Sequence, residues 1–121
     1  MLNYIIKELN YFLNKKNKSL KNSKIMIVGL TYKAGVADMR NSLNFKIFKK
    51  IKRYNNKIDG CDPFVEEKMK KTYGIYNKIN KNIKYDVILF LSYHNFFKKI
   101  FKSIISSKNR NIVLDPFNYY S

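Results

Sequence analysis

Four short strand-like runs, at residues 24–30, 57–61, 85–91 and 111–114, alternate with segments whose apolar residues recur at helical spacing. The runs are continuous rather than alternating, as in Val87-Ile88-Leu89-Phe90-Leu91. A strand apolar on both faces must be covered on both faces, which is the signature of a parallel sheet. Leu2, Ile5, Ile6, Leu9, Phe12 and Leu13 predict an amphipathic helix over residues 2 to about 16. Phe45, Ile47, Phe48 and Ile51 predict a second, opened by Asn41 or Ser42 as N-cap and ending near residue 54. A short helix over 65–73, with Glu66 and Glu67 in its first turn and Gly74 as its stop, is the third. Phe97, Ile100, Phe101 and Ile104 mark the fourth, over 96–105. Residues 15–23 read as a polar linker or a frayed helix end. The order α-β-α-β-α-β-α-β predicts an α/β, three-layer domain with a parallel sheet of about four or more strands and right-handed crossovers.

At 121 residues the chain has room for one core. Its apolar content of 45%, with ten Tyr and nine Phe, belongs to globular proteins rather than disordered ones. No apolar run approaches the roughly 20 residues that span a bilayer, so no membrane association is expected. The opening residues lack the basic head, long apolar stretch and cleavage site of a signal peptide, and one cysteine, Cys61, forms no internal disulfide. A cytoplasmic location is the expectation.

The net charge of +17 invites a polyanion reading. Only Arg40, Arg53 and Arg110 among the 25 basic residues are arginines, however, although arginine suits bidentate phosphate and base contacts. The lysines are scattered among asparagines along the whole length. A solvated lysine surface is favoured over a dedicated site, and no specific nucleic acid is expected.

The segment that carries chemistry runs from Ser23 to Ser42. A strand ends in Gly29, and the loop behind it carries Lys33, Asp38 and Arg40 before Ser42 opens a helix. Loops at the carboxyl ends of parallel strands are where open α/β sheets bind ligands. Two cations there suit phosphate oxygens. Taken singly, Lys33 reads equally as a solvated lysine and Arg40 as a partner that stiffens the loop through Asp38. The glycines Gly29 and Gly35 are six apart, so the G-x-G-x-x-G turn of a dinucleotide site is absent. Asp62 stands where such a fold places its ribose-binding acid, but without the glycine turn it reads as a cap for the helix beginning near Phe64. A phosphoacceptor receiver is disfavoured because the first and third strands end in Leu30-Thr31 and Leu91-Ser92 rather than carboxylates. Cys61 reads as a packing residue. His94, with no carboxylate or cysteine partner in the sequence pattern, reads as a loop or helix-start residue rather than a general base.

Gly29-Leu30-Thr31-Tyr32-Lys33, then Asp38, Arg40 and Ser42, closely resembles the G-L-(T/A)-(Y/F)-K-x4-D-x-R-x-S signature that opens the C-terminal domain of the UDP-glucose/GDP-mannose dehydrogenase family. Asp62-Pro63 after the second strand, the third strand, the Tyr93-His94-Asn95-Phe96 step and the last strand resemble the same domain. The resemblance implies a Rossmann-like domain over residues 23–121, with residues 1–22 as the end of the central-domain helix and its linker. It implies an NAD-dependent oxidation of a nucleotide sugar at C6, in which this lobe grips the UDP-sugar. The Asp-x-Arg-Asn-Ser wording and the His-x-x-Phe step lean toward N-acetylhexosamine substrates. Lys33, with the backbone at Tyr32, is implied as the substrate contact, and Arg40 as the contact to the NAD diphosphate. The family's nucleophilic cysteine and catalytic lysine lie in its central domain, which this chain does not contain, so the lobe is expected to be non-catalytic alone. Its partners would be the UDP-sugar and the rest of the dehydrogenase. One departure stands out: where many members carry a basic residue after the last strand, this chain reads Asp115-Pro116-Phe117-Asn118. The alternative from another class is a small basic α/β module that binds polyanions through its lysines.

Overall fold

The structure, a computed structural model, describes residues 2–31, 42–55, 57–80, 82–106 and 112–120. Helix α1 (Leu2–Lys15) leads through a 3-10 turn (Leu20–Asn22) into β1 (Ile25–Val28). There follow α2 (Leu43–Tyr54), β2 (Ile58–Cys61), α3 (Glu67–Tyr73), β3 (Ile75–Tyr76), β4 (Val87–Phe90), α4 (Asn95–Ser106) and β5 (Ile112–Leu114). The five strands form one parallel sheet in the order β3-β2-β1-β4-β5. The fold is α/β with a parallel sheet, as the pattern of elements predicts, and Rossmann-like, as the resemblance implies.

Alternation along each strand distributes the apolar side chains to two cores. Ile25 and Ile27 of β1, with Val87 and Leu89 of β4, face a cluster containing Ile5, Leu9 and Leu13 of α1 and Phe45, Ile47, Phe48 and Ile51 of α2. Met26, Val28, Ile88 and Phe90 face the opposite cluster, which holds Phe97 and Phe101 of α4. Helices therefore cover both faces, and the sheet is buried throughout β1 and β4.

Three expectations change. Residues 15–23, read as a polar linker or a frayed helix end, contain a 3-10 turn with Leu20 buried, and the Asn55 side-chain amide donates to the carbonyls of Leu20 and Ser23. Helix α3 begins at Glu67 rather than 65, because Asp62 Oδ1 accepts the Phe64 N–H (2.9 Å) and holds the chain in a turn there. A fifth strand, β3, pairs with β2 through Gly60↔Ile75 and Cys61↔Tyr76 immediately after Gly74 caps α3 at φ 71°. Two residues are too few to show a strand period in sequence.

Candidate functional site

The strand order reverses direction between β1 and β4: β2 and β3 lie to one side, β5 to the other. At such a switch point the loops leaving neighbouring strands diverge and open a crevice at their carboxyl ends. Gly29 (φ 91°) leaves β1 there, donating its N–H to the Cys61 carbonyl (3.0 Å), while Leu91 donates to Val28 (2.9 Å). A Cβ on Gly29 would lie 2.1 Å from Ser92 Oγ and 3.0 Å from Ser92 N. Only glycine fits so close to the β4 exit.

The chain beyond Gly29 is gripped by Asp62, whose side chain is fully buried. Its Oδ2 accepts from Leu30 N (2.9 Å), Thr31 N (2.8 Å) and Thr31 Oγ1 (2.8 Å). Ser42, at the far end of the loop, donates its Oγ to Leu30 O (2.9 Å) and accepts from Phe45 N as the N-cap of α2. Thr31 and Ser42, the residues on either side of positions 32–41, are thus tied to Asp62 and to Leu30 respectively. Tyr32, Lys33, Asp38 and Arg40 themselves lie outside the described residues.

On the β4 side, Tyr120 braces the turn at residues 92–94. Its hydroxyl donates to Ser92 O and accepts the His94 N–H (3.2 Å). Its ring lies nearly parallel to those of Tyr93 (5.6 Å between centroids) and Phe101 (5.3 Å). Asp115 fixes this C-terminal stretch by accepting from Tyr119 N (3.0 Å) and Tyr120 N (2.7 Å). Burial pushes the Tyr120 phenol up to about 12, against the opposing His94 N–H bond and with help from Asp115.

Between these supports lies an open cavity of about 480 Å³. Leu43 and Asn44 at the start of α2 form one wall, residues 91–93 another, and Phe117 and Tyr119 the third. Phe117, the position of the missing basic residue, faces it. Among the described residues, no acid, histidine, cysteine or cation lines this cavity. His94 stands apart from it: Nδ1 accepts the Phe96 N–H (3.0 Å) at the start of α4, and the ring packs edge-on against Phe64. Cys61 is buried, its thiol pushed up to about 12 by burial and then by the charge of Asp62. Cys61 is thus part of the core, and His94 bonds to the first turn of α4. Among the described residues no His/Cys/Asp/Glu cluster could hold a metal, and no helix is long and apolar enough to cross a membrane.

The model of the UDP-glucose/GDP-mannose dehydrogenase family, UDP binding domain, matches residues 26–121. The chain belongs to this family. It is 29% identical over 119 residues to a UDP-N-acetyl-D-glucosamine 6-dehydrogenase of Salmonella typhi, covering 95% of this chain and 28% of that protein. It is 29% identical over 120 residues to a UDP-N-acetyl-D-mannosamine dehydrogenase of Methanococcus vannielii, covering 96% and 26%. The solved structure of a UDP-D-ManNAc dehydrogenase from Pyrococcus horikoshii superposes with a TM-score of 0.76 at 25% identity, over 99% of this chain and 28% of that one. The chain thus spans between a quarter and a third of the length of each of these family members.

Within this dehydrogenase-family domain, the anchor of the chain beyond Gly29 is not legible in the sequence. Asp62 was visible as Asp-Pro at a strand end, yet its three bonds to Leu30 and Thr31 exist only because β2 lies beside β1. The cavity is assembled from three segments far apart in the chain and left no local signal.

Proposed function

We propose that this chain is the UDP-sugar-binding lobe of an NAD-dependent nucleotide-sugar 6-dehydrogenase acting on a UDP-N-acetylhexosamine, and that the lobe does not catalyse alone. The observation that carries this is the family match over a loop whose two ends are clamped at the switch point of the sheet. In this reading Lys33 and the backbone at Tyr32 hold the sugar nucleotide, and Arg40 reaches the diphosphate of NAD across the cleft. Residues 1–22 are the end of a central-domain helix and its linker, and the missing domains are the protein partner. An arginine fork suits a diphosphate, and a lysine supplies a point charge with three donors.

The sheet end of this lobe does not itself fit NAD. Dinucleotide sites need a glycine turn for close approach and a free carboxylate for the ribose. Here the space beside Gly29 is filled by Ser92, and Asp62 spends its carboxylate on four N–H and O–H donors of its own chain. The cofactor belongs to the remainder of the enzyme.

The test is an NMR titration of the chain with UDP and UDP-N-acetylglucosamine. Lys33→Ala is expected to lose one charge-assisted contact, about 1.5 to 3 kcal/mol of affinity, with melting temperature unchanged. Arg40→Ala is expected to leave UDP binding by the isolated lobe nearly intact and to weaken NAD binding in a reconstituted enzyme. The reverse pattern overturns these roles.

A further inference from the structure

Helix α4 covers its face of the sheet with Phe97 and Phe101 and carries a second apolar stripe beside them. Phe96, Ile100 and Ile104 are half-buried: they pack against the cluster of Met26, Val28 and Phe90, and they also line an open groove. Ile79, from the segment after β3, faces them across it. The groove holds about 310 Å³, and the exposed residues Lys78, Lys99 and Ser103 complete its lining. Its α4 wall is made of residues 96, 99, 100, 103 and 104, the i, i+3, i+4, i+7, i+8 spacing of one helix face. At 1.5 Å per residue that wall is about 12 Å long, a little over two helical turns.

Charge narrows what can lie there. Residues 77–84 and α4 each carry three lysines and no acid. Neither Lys78 nor Lys99 has an acidic partner among the described residues, whose ion pairs belong to Lys18, Lys24 and Lys70. A second copy of this chain, at +17 and with the same cationic rim, is repelled. A flat anionic bilayer would meet the lysines but leave the concavity unfilled. A helix with apolar residues at i, i+3 or i+4, and i+7, flanked by Asp or Glu, does both. Its apolar ridge enters the groove, and its carboxylates meet Lys99 on one wall and Lys78 on the other.

We infer that the α4 groove is a docking site for an acidic amphipathic helix of another polypeptide. It shares no lining residue with the cavity beside the β1–β4 switch point, and it is independent of the UDP-sugar reading.

The test titrates the 121-residue chain with a synthetic helix-forming peptide of about 15 residues, with leucines on one face and glutamates on the rest. A scrambled peptide of the same composition keeps the charge and removes the stripe. The patterned peptide is expected to shift the amides of Lys78, Ile79 and residues 96–104, and to bind about tenfold tighter than the scrambled one. Lys78→Glu with Lys99→Glu is expected to weaken the patterned peptide about tenfold. The same charge change at Lys46 and Lys50, exposed on α2 over the opposite face of the sheet, is expected to cost about twofold at most, because distant surface charges are screened. Ser103→Trp adds bulk to the groove and no charge, and is expected to abolish the shifts while the melting temperature stays unchanged. Equal binding of the two peptides, or equal losses from the two lysine pairs, would mean that only general charge is at work, and overturns the site. Wild-type binding by Ser103→Trp overturns it as well. Shifts along α4 from phosphatidylserine vesicles, with none from the patterned peptide, would give the stripe to a membrane surface and overturn the helix assignment.

Discussion

Asp62 is the residue that holds the chain leaving β1 most directly. Its buried carboxylate accepts from Leu30 N, Thr31 N and Thr31 Oγ1 on one oxygen and from Phe64 N on the other. Asp62→Ala would leave four donors facing no acceptor, and hydrogen bonds to charged groups contribute about 1.5 to 3 kcal/mol each. A loss of at least about 3 kcal/mol in denaturant unfolding is expected. Thr31→Val deletes only the Oγ1 bond in a side chain of similar shape, and about 1.5 kcal/mol is expected from the same measurement. Because Thr31 directly precedes Tyr32 and Lys33 in the chain, Thr31→Val is also expected to weaken UDP binding, with Lys33 itself intact. Equal unfolding midpoints for wild type and Asp62→Ala would show that the carboxylate is not the anchor.

At the scale of elements, the C-terminal strap after β5 supports the β4 exit through Tyr120. Burial raises the Tyr120 phenol to about 12, whereas an unfolded tyrosine ionises near 10. The folded state therefore holds this proton more tightly. The stabilisation is complete below about pH 10 and is lost as pH rises through about 12. Tyr85 and Cys61 are pushed up as well, so only a difference measurement isolates the strap. The gap in unfolding free energy between wild type and Tyr120→Phe is expected to narrow from about pH 10 to 12. A constant gap would remove Tyr120 from the brace. The elements themselves show what sequence makes legible. Helices α1, α2 and α4 and strands β1 and β4 follow from local period and apolar continuity, because each buries a whole face. Strand β3 and the late start of α3 do not, because one depends on pairing with β2 and the other on a carboxylate bond across a turn. The loop of Lys33 and Arg40 is contiguous and readable as a motif. The Asp62 anchor and the Tyr93, Phe117 and Tyr119 wall are products of strand adjacency.

For the whole molecule, two properties separate the dehydrogenase lobe from a basic binding module. The first is inactivity: hydride transfer needs a bound nicotinamide and a positioned nucleophile. Cys61 is buried with its thiol raised to about 12, and the sheet end spends its carboxylate on its own backbone. The purified chain is therefore expected to produce no NADH from any UDP-hexose above background. The second is the response to polyanions. With 25 basic and 8 acidic residues, attraction to nucleic acid is unavoidable, but attraction alone sets no register. Part of the charge is engaged structurally: Lys18 pairs with Asp86, Lys24 with Asp59 (3.0 Å), and Lys70 with Glu67 (3.1 Å). Duplex DNA is expected to bind in the non-specific range, about 10⁻⁴ to 10⁻⁶ M at physiological salt, without sequence preference and weakening steeply as salt is raised. Fluorescence anisotropy with two unrelated duplexes, across a salt series and with UDP added as competitor, measures this directly. Nanomolar, sequence-selective binding that UDP does not displace would make the basic surface the functional one and the ligand crevice secondary.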